Sequence, residues 1–526
     1  MTFSRRSFMK WATMATTVGL TTSARAQILP PTRKDLVGAY LRPDLLPSQE
    51  EVWENLAWMA KLGPKYTGNK AHVTYVDFLA DQMKSYGLEV NRDRYTFPRW
   101  EAKRWEISIN PASGASFKPD VTSYFPYSGE TSASGVTGEL VYAGFYKPQP
   151  PPEPPAGAQL DIAKIMASIS AAEANAFDLS NVKGKIVLVD FARGERDYNK
   201  NYEDWGVYPA DAHFPEVVRP ARGAINDLTK FQKAGALAVI LAWTDVSDAN
   251  AQDQYTPFSR PPQGIPGLYV TKEAGERLKA LAKGGGAKAT VVLEAETIEN
   301  SPTDTVTATL PGTSSDEIIM VNTHTDGPNA TEENGAIACL ALAKYFAAMS
   351  RNDRKRTIIF PMVTGHFALT WVPAIFGFIK KYPDTISKTV AAVTIEHLAC
   401  QEWMDDATAS HYSYTGQNQW GVAITEYKAM ANILLESLQG DGVKRTGVVN
   451  PVHGGWLGEG GGPNRVGIPT IGYIPQPNYL LAGQQNGCIE KLDGNLLYGQ
   501  IQMFAKTIRR IDSMSVAELK SKTPTG

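Results

Sequence analysis

Cysteine is scarce in this chain: Cys339, Cys400 and Cys488 are the three in 526 residues. That excludes a disulfide framework and leaves no thiolate cluster for a metal. Histidine is scarce as well, at seven, so each one near a strand end carries information. No apolar run reaches the roughly 18 residues that a bilayer span requires. Nor does one sign of charge dominate. The 52 basic residues face 54 acidic ones, whereas a nucleic-acid binder would carry a basic surplus. What remains is globular usage, 43% hydrophobic and 20% charged. At roughly 100–200 residues per domain the chain should fold as two or three units.

The opening segment reads as an address. Ser4-Arg5-Arg6-Ser7-Phe8-Met9-Lys10 is followed by a short, mildly apolar stretch from Trp11 to Leu20, then by Ala24-Arg25-Ala26. These are the three parts of an export signal, and the paired arginines resemble the twin-arginine type. Residues 1–26 are therefore expected to be removed. The mature protein would begin at Gln27, be periplasmic or secreted, and keep no integral membrane segment. It would carry 48 basic against 54 acidic residues, because the leader holds four basic residues and no acidic one.

Residues 27–130 form a first part. Ser48 to Tyr86 has helical spacing, with Ser48 as cap and a turn-rich break at Leu62-Gly63-Pro64-Lys65-Tyr66-Thr67-Gly68. From 131 to 296 the pattern changes to short strands and turns, such as Gly138 to Gly144, Lys185 to Asp190 and Ala236 to Leu241. A proline run from Pro148 to Pro155 reads there as an extended surface loop. From 297 to 526 strands alternate with helices: strand 317–322, helix 335–350, strand 357–363, strand 390–395. The implied architecture is α/β, a mostly parallel central sheet flanked by helices, with a β-rich domain inserted.

Ionisable groups follow three of those strands. His324-Thr325-Asp326 and Glu332-Glu333-Asn334 follow the first, Gly365-His366 the second, and the third ends at Glu396-His397. In open sheets of this type ligands sit beyond the carboxyl ends of the strands. Imidazole and carboxylate converging there suit a divalent ion such as zinc.

From about Leu62 to its end the chain is similar to metallopeptidase family 28, the group of zinc aminopeptidases, glutamate carboxypeptidases and transferrin-receptor-like proteins. The residues that carry the resemblance are the Gly63 region, the short-strand insert, Val321-Asn322-Thr323-His324-Thr325-Asp326-Gly327, Glu333-Asn334-Gly335 and Gly467-Ile468-Pro469-Thr470-Ile471. The insert resembles the protease-associated (PA) domain of that group. The resemblance implies two zinc ions, five protein ligands and a glutamate base. On it, His324 stands for the first histidine ligand, Asp326 for the acid that orients it, Glu333 for the bridging aspartate and Glu396 for a later aspartate.

The departures are specific. His366-Phe367 replaces the family's Glu-Glu pair, and Tyr479 is followed by Leu480 where a late histidine is expected. Both private ligands of the second zinc are thus missing. The expectation is one divalent metal, zinc, on His324, Glu333 and Glu396. His366 would serve either as base, with Asp326 in support, or as a fourth ligand. Glu332, His397, His453 and Glu459 would occupy outer or pocket positions, with His397 either just outside the ligands or packed beneath the site because successive strand residues face opposite sides. His453-Gly454-Gly455-Trp456 also has the look of an esterase oxyanion loop, but no Gly-x-Ser-x-Gly elbow accompanies it.

These residues imply an exported metal-dependent hydrolase of amide bonds, in peptides or N-acyl amino compounds. Two alternatives stay open: an inactive relative that keeps the fold for binding, and ester hydrolysis or acyl transfer on the same scaffold. Oligomeric state is not encoded in any motif found here.

Overall fold

The computed structural model describes residues 40–148, 171–173, 175–218, 223, 225–452 and 455–522. The expected signal, His453 and most of the proline run lie outside these residues.

Two helices open the described chain. Ser48 caps Gln49–Lys61 by accepting the Glu51 N–H at 3.1 Å. Asn69 caps Lys70–Ser85 by accepting the His72 N–H at 2.8 Å. Between them lies the expected turn, where Gly63 and Gly68 adopt left-handed backbone that a Cβ would oppose.

Strands Glu89–Asn110 and Lys288–Leu310 then pair antiparallel along their length. The second of these is shared. Its start, at Lys288 to Val291, pairs with Val136–Tyr146 of the insert, while Val306 to Leu310 pairs with Arg356–Val363 of the body. One 14-stranded sheet therefore runs through both units. Residue 296, where the insert was expected to end, lies inside this strand.

In the body, Ser314–His324 runs between Arg356–Val363 and Thr389–Ile395 and is parallel to both. Thr389–Ile395 is parallel in turn to Thr470–Tyr473. The latter two and Arg356–Val363 are buried at every residue, the pattern of parallel strands covered on both faces. Helix Gly335–Ala348 has 11 of its 14 residues buried, which makes it a core helix rather than an amphipathic surface one. A Cβ on Gly335 would lie 2.1 Å from the Ile395 carbonyl oxygen. That close approach presses the turn bearing Glu332 and Glu333 onto the end of the third strand.

The insert has its own parallel strands, Val136–Tyr146, Ile186–Phe191, Ala238–Trp243 and Gly267–Val270, over a core that includes Phe191, Trp243 and Tyr269. One arm leaves it. Tyr202–Tyr208 crosses to the far edge of the body and pairs antiparallel with Thr446–Pro451. No helix among the described residues is long and apolar enough to cross a membrane.

Candidate metal centre

Parallel strands end on one side of a sheet, so the groups that follow them meet. His324 is the last residue of its strand. Its Nδ1 lies 2.9 Å from the Asp326 carbonyl oxygen, which accepts the ring proton and leaves Nε2 facing inward without a hydrogen-bond partner. His397 is oriented the same way, with Nδ1 2.8 Å from the Pro475 carbonyl. Its Nε2 is 2.8 Å from Glu332 Oε2, and that oxygen is 3.5 Å from His324 Nε2. His324, Glu332 and His397 each offer a donor atom, all within 4.8 Å of one another. Glu396 Oε2 joins them, 3.6 Å from His324 Nε2 and 3.9 Å from His397 Nε2, and it too lacks a hydrogen bond. These four side chains are at most 4% exposed. Two imidazoles locked through Nδ1 onto backbone carbonyls, two carboxylates and orphaned buried donor atoms are a donor set that fits zinc.

The electrostatics agree. Burial alone would lower His324, but Glu396, Glu332 and Asp326 outweigh it and push its pKa up to about 10. His397 is also raised, against its own burial, chiefly by Glu332. Glu332 and Glu396 are held below the usual carboxylate range despite burial, by His397 and His324 respectively. The carboxylates thus favour positive charge on the inward nitrogens, and a metal ion bound there would compete with protons.

The expected residues are redistributed. Glu333 is not in the cluster: its carboxylate lies 3.6 Å from Lys65 Nζ, and both side chains are wholly buried. Burial pushes Glu333 up to about 8 and pushes Lys65 down. Glu332 takes the inward place instead. Neighbours on the helical turn Ala330–Glu333 point about 100° apart, so only one can face the strand ends. Asn329 sets that rotation. Its side-chain oxygen accepts the N–H groups of Thr331 and Glu332, while its amide donates to the carbonyls of Tyr479, Leu480 and Ala482.

His397 was expected just outside the ligands or beneath the site and lies in it. The strand ends at Ile395, and His397 has φ of 57°, so strand alternation no longer applies. The Asp326 carboxylate does not orient the His324 ring, which its backbone carbonyl does. The carboxylate instead accepts Thr67 Oγ1–H at 2.5 Å and the N–H groups of Gly365, His366 and Phe367 at 3.2, 3.3 and 3.0 Å, fixing the turn that carries His366.

His366 is outside the converging set. Its ring stacks on His324, with centroids 4.1 Å apart and planes 11° apart, and its Nδ1 is 2.7 Å from Glu459 Oε1. Glu459 holds both sides of the site, because its N–H donates to Glu396 Oε1 at 2.7 Å. Gly458 makes this approach possible, since a Cβ there would sit 2.3 Å from Glu396 Oε1. Leu480, in place of the late histidine, packs with Phe367, Leu481 and Phe258 and closes this side with hydrocarbon. Lys65 was missed by the sequence reading, because a lysine in a turn carries no signal of burial.

Comparison with known proteins agrees with this architecture. Residues 136–278 match the PA domain. A peptidase M28 precursor from Shewanella amazonensis SB2B is 16% identical, with 91% of this chain and 96% of that one covered and a TM-score of 0.62. BSAP, a zinc aminopeptidase from Bacillus subtilis, is 15% identical over 90% and 98%, with a TM-score of 0.58. An aminopeptidase from Aneurinibacillus sp. strain AM-1 is 17% identical over 88% and 93%, at 0.54. No curated protein matches the sequence. The chain thus has the fold of the family 28 zinc aminopeptidases, with a PA domain inserted into it.

Proposed function

We propose that the protein is an exported, periplasmic or secreted hydrolase of peptide or N-acyl amino bonds that uses one divalent metal, zinc. The carrying observation is the convergence of donor atoms of His324, Glu332 and His397, with Glu396 beside them, where His324 Nε2 and Glu396 Oε2 have no hydrogen-bond partner. Zinc held there would polarise a carbonyl and acidify water toward neutrality. The chain's own residues do the rest. The Asp326 and Pro475 carbonyls fix the imidazole tautomers. The Glu459 carboxylate holds His366 Nδ1, so this ring is the group placed to take and return a proton, the part the family gives to glutamate. Phe367, Leu480 and Leu481 line that side with hydrocarbon.

A second reading, a metal-stabilised binding protein, is favoured by one observation. Four donors with at most 4% exposure resemble the closed sites of structural zinc rather than the open ones of catalysts. One experiment separates the readings: metal content of protein purified without chelator, and turnover of aminoacyl, N-acyl and ester chromogenic substrates by wild type and His366→Ala. One equivalent of metal with turnover lost to chelator and to His366→Ala supports the hydrolase. One equivalent with no turnover on any class supports the binding protein, and absence of metal defeats both.

A further inference from the structure

The cluster is buried, and a cavity of about 830 Å³ lies between the insert and the body, lined by neighbours of the site rather than by its donors. Its inner wall includes Phe367, which directly follows His366, and Thr67, whose hydroxyl bonds the Asp326 carboxylate. A run of neighbouring aromatic rings forms part of the remaining wall. Trp100 and Trp105 lie 5.6 and 4.8 Å from Tyr124, Trp100 lies 5.8 Å from Tyr127, and Tyr124 lies 5.5 Å from Tyr255. The Tyr255 hydroxyl donates to that of Tyr66, and this joins the insert's wall to the body's.

Set into this wall is Asp253, from the insert. Its backbone is fixed: the N–H donates to the Thr122 carbonyl at 3.1 Å and the carbonyl accepts the Gly483 N–H at 3.0 Å. Among the described residues its carboxylate has no hydrogen bond or ion pair, and Lys491 acts on it only through space. Burial raises its pKa, and Lys491 only partly offsets this from a distance. The other charges of the cavity are committed or exposed. Arg99 pairs with Glu101 and Ser301, and Glu101 also binds Lys103 at 2.8 Å. Lys61 and Lys70 are exposed and keep their water. Asp253 and Tyr127 both have left-handed backbone, with φ of 61° and 57°, a conformation that residues with a Cβ rarely take.

An uncommitted carboxylate and aromatic rings lining one cavity are the elements that recognise organic ammonium groups, by charge and by cation–π attraction. We infer that this cavity is a subsite for a cation: the substrate carries a primary ammonium on an apolar stem, as a lysine side chain does, with the ammonium on Asp253 and the stem along Trp100, Tyr124 and Tyr127. The identity of that substrate rests on the hydrolase reading, but the subsite itself does not, because binding is measured without turnover.

The test is equilibrium binding of N-acetyl-lysine methylamide, the norleucine analogue and the glutamate analogue to the full chain, followed by tryptophan fluorescence, in wild type and Asp253→Asn. Asparagine tolerates left-handed backbone, so this variant keeps the fold, and coincident thermal unfolding with wild type verifies that. The lysine probe should bind wild type about 10-fold more tightly than the norleucine probe, the size of one charge-assisted contact. Asp253→Asn should abolish that advantage and leave norleucine binding unchanged. Equal binding of lysine and norleucine, tightest binding of the glutamate probe, survival of the preference in Asp253→Asn, or no binding of any probe would each overturn the subsite. Lysine preference without turnover of any substrate would keep the subsite and remove the hydrolase.

Discussion

The imidazole of His366 lies flat on that of His324, with centroids 4.1 Å apart and an angle of 11° between the planes. One ring belongs to the converging donors and the other is bound through Nδ1 to Glu459. His366→Ala should therefore keep the metal and lose turnover by roughly 10²–10⁴-fold, the usual span for a general acid–base group. Glu459→Gln, which keeps the N–H to Glu396, should give a smaller loss in kcat. Metal analysis beside steady-state kinetics checks both, and metal loss in His366→Ala would assign the ring to coordination instead.

Glu332 and Glu333 should behave oppositely although they are adjacent. Glu332→Gln removes an inward donor, and zinc affinity should fall by more than the roughly 10–100-fold that loss of an outer partner costs. Glu333→Gln resembles the protonated acid that burial already favours at neutral pH, so it should keep one equivalent. Competition titration against a chromophoric chelator reads the difference. Equal losses in the two variants would return Glu333 to the ligand set.

Gly458 sits tightly against the site, at φ of 63° with the Glu396 carboxylate where a Cβ would go. Gly458→Ala should leave the fold intact, weaken metal binding and cost about 1–3 kcal/mol of local strain. Thermal unfolding with and without added zinc measures this: the zinc-induced rise in Tm should shrink in the variant.

His72 predicts an acid sensitivity. It accepts the Gly68 N–H on Nδ1 and bonds Thr325 Oγ1 through Nε2, so only the neutral ring fits. Burial lowers its pKa from 6.5 to about 4. Between those values the unfolded chain binds more protons than the native one, so stability falls as pH drops from about 6.5 toward 4, by roughly 3 kcal/mol at most. Urea midpoints across that window should show the slope in wild type and lose it in His72→Gln. An unchanged slope in the variant would place the acid sensitivity elsewhere.

The insert's arm should make the insert indispensable. Tyr202–Tyr208 covers the Thr446–Pro451 edge, Trp205 Nε1 donates to the Thr425 carbonyl at 2.8 Å, and the Tyr202 hydroxyl donates to the Gly455 carbonyl at 3.0 Å. Deleting residues 136–278 leaves that edge open, and an open edge pairs with other chains. Size-exclusion chromatography should show aggregates, where a merely appended domain would leave a soluble body.

Local chemistry in the sequence determined much of this. Helix caps at Ser48 and Asn69, the buried strands and the placement of His324, His366 and Glu396 after them depend on residues close in the chain, and all are legible there. Tertiary structure decided the rest. Whether Glu332 or Glu333 faces the site depends on how Asn329 clamps a turn against residues 479–482, some 150 positions away. His397 enters because a left-handed residue ends strand alternation. The Asp326 carboxylate is claimed by Thr67 and the His366 turn, and Lys65 is buried by packing that no local pattern records. Strand ends announce themselves through short-range periodicity, whereas the rotation of a side chain into a shared site is set by contacts between distant segments.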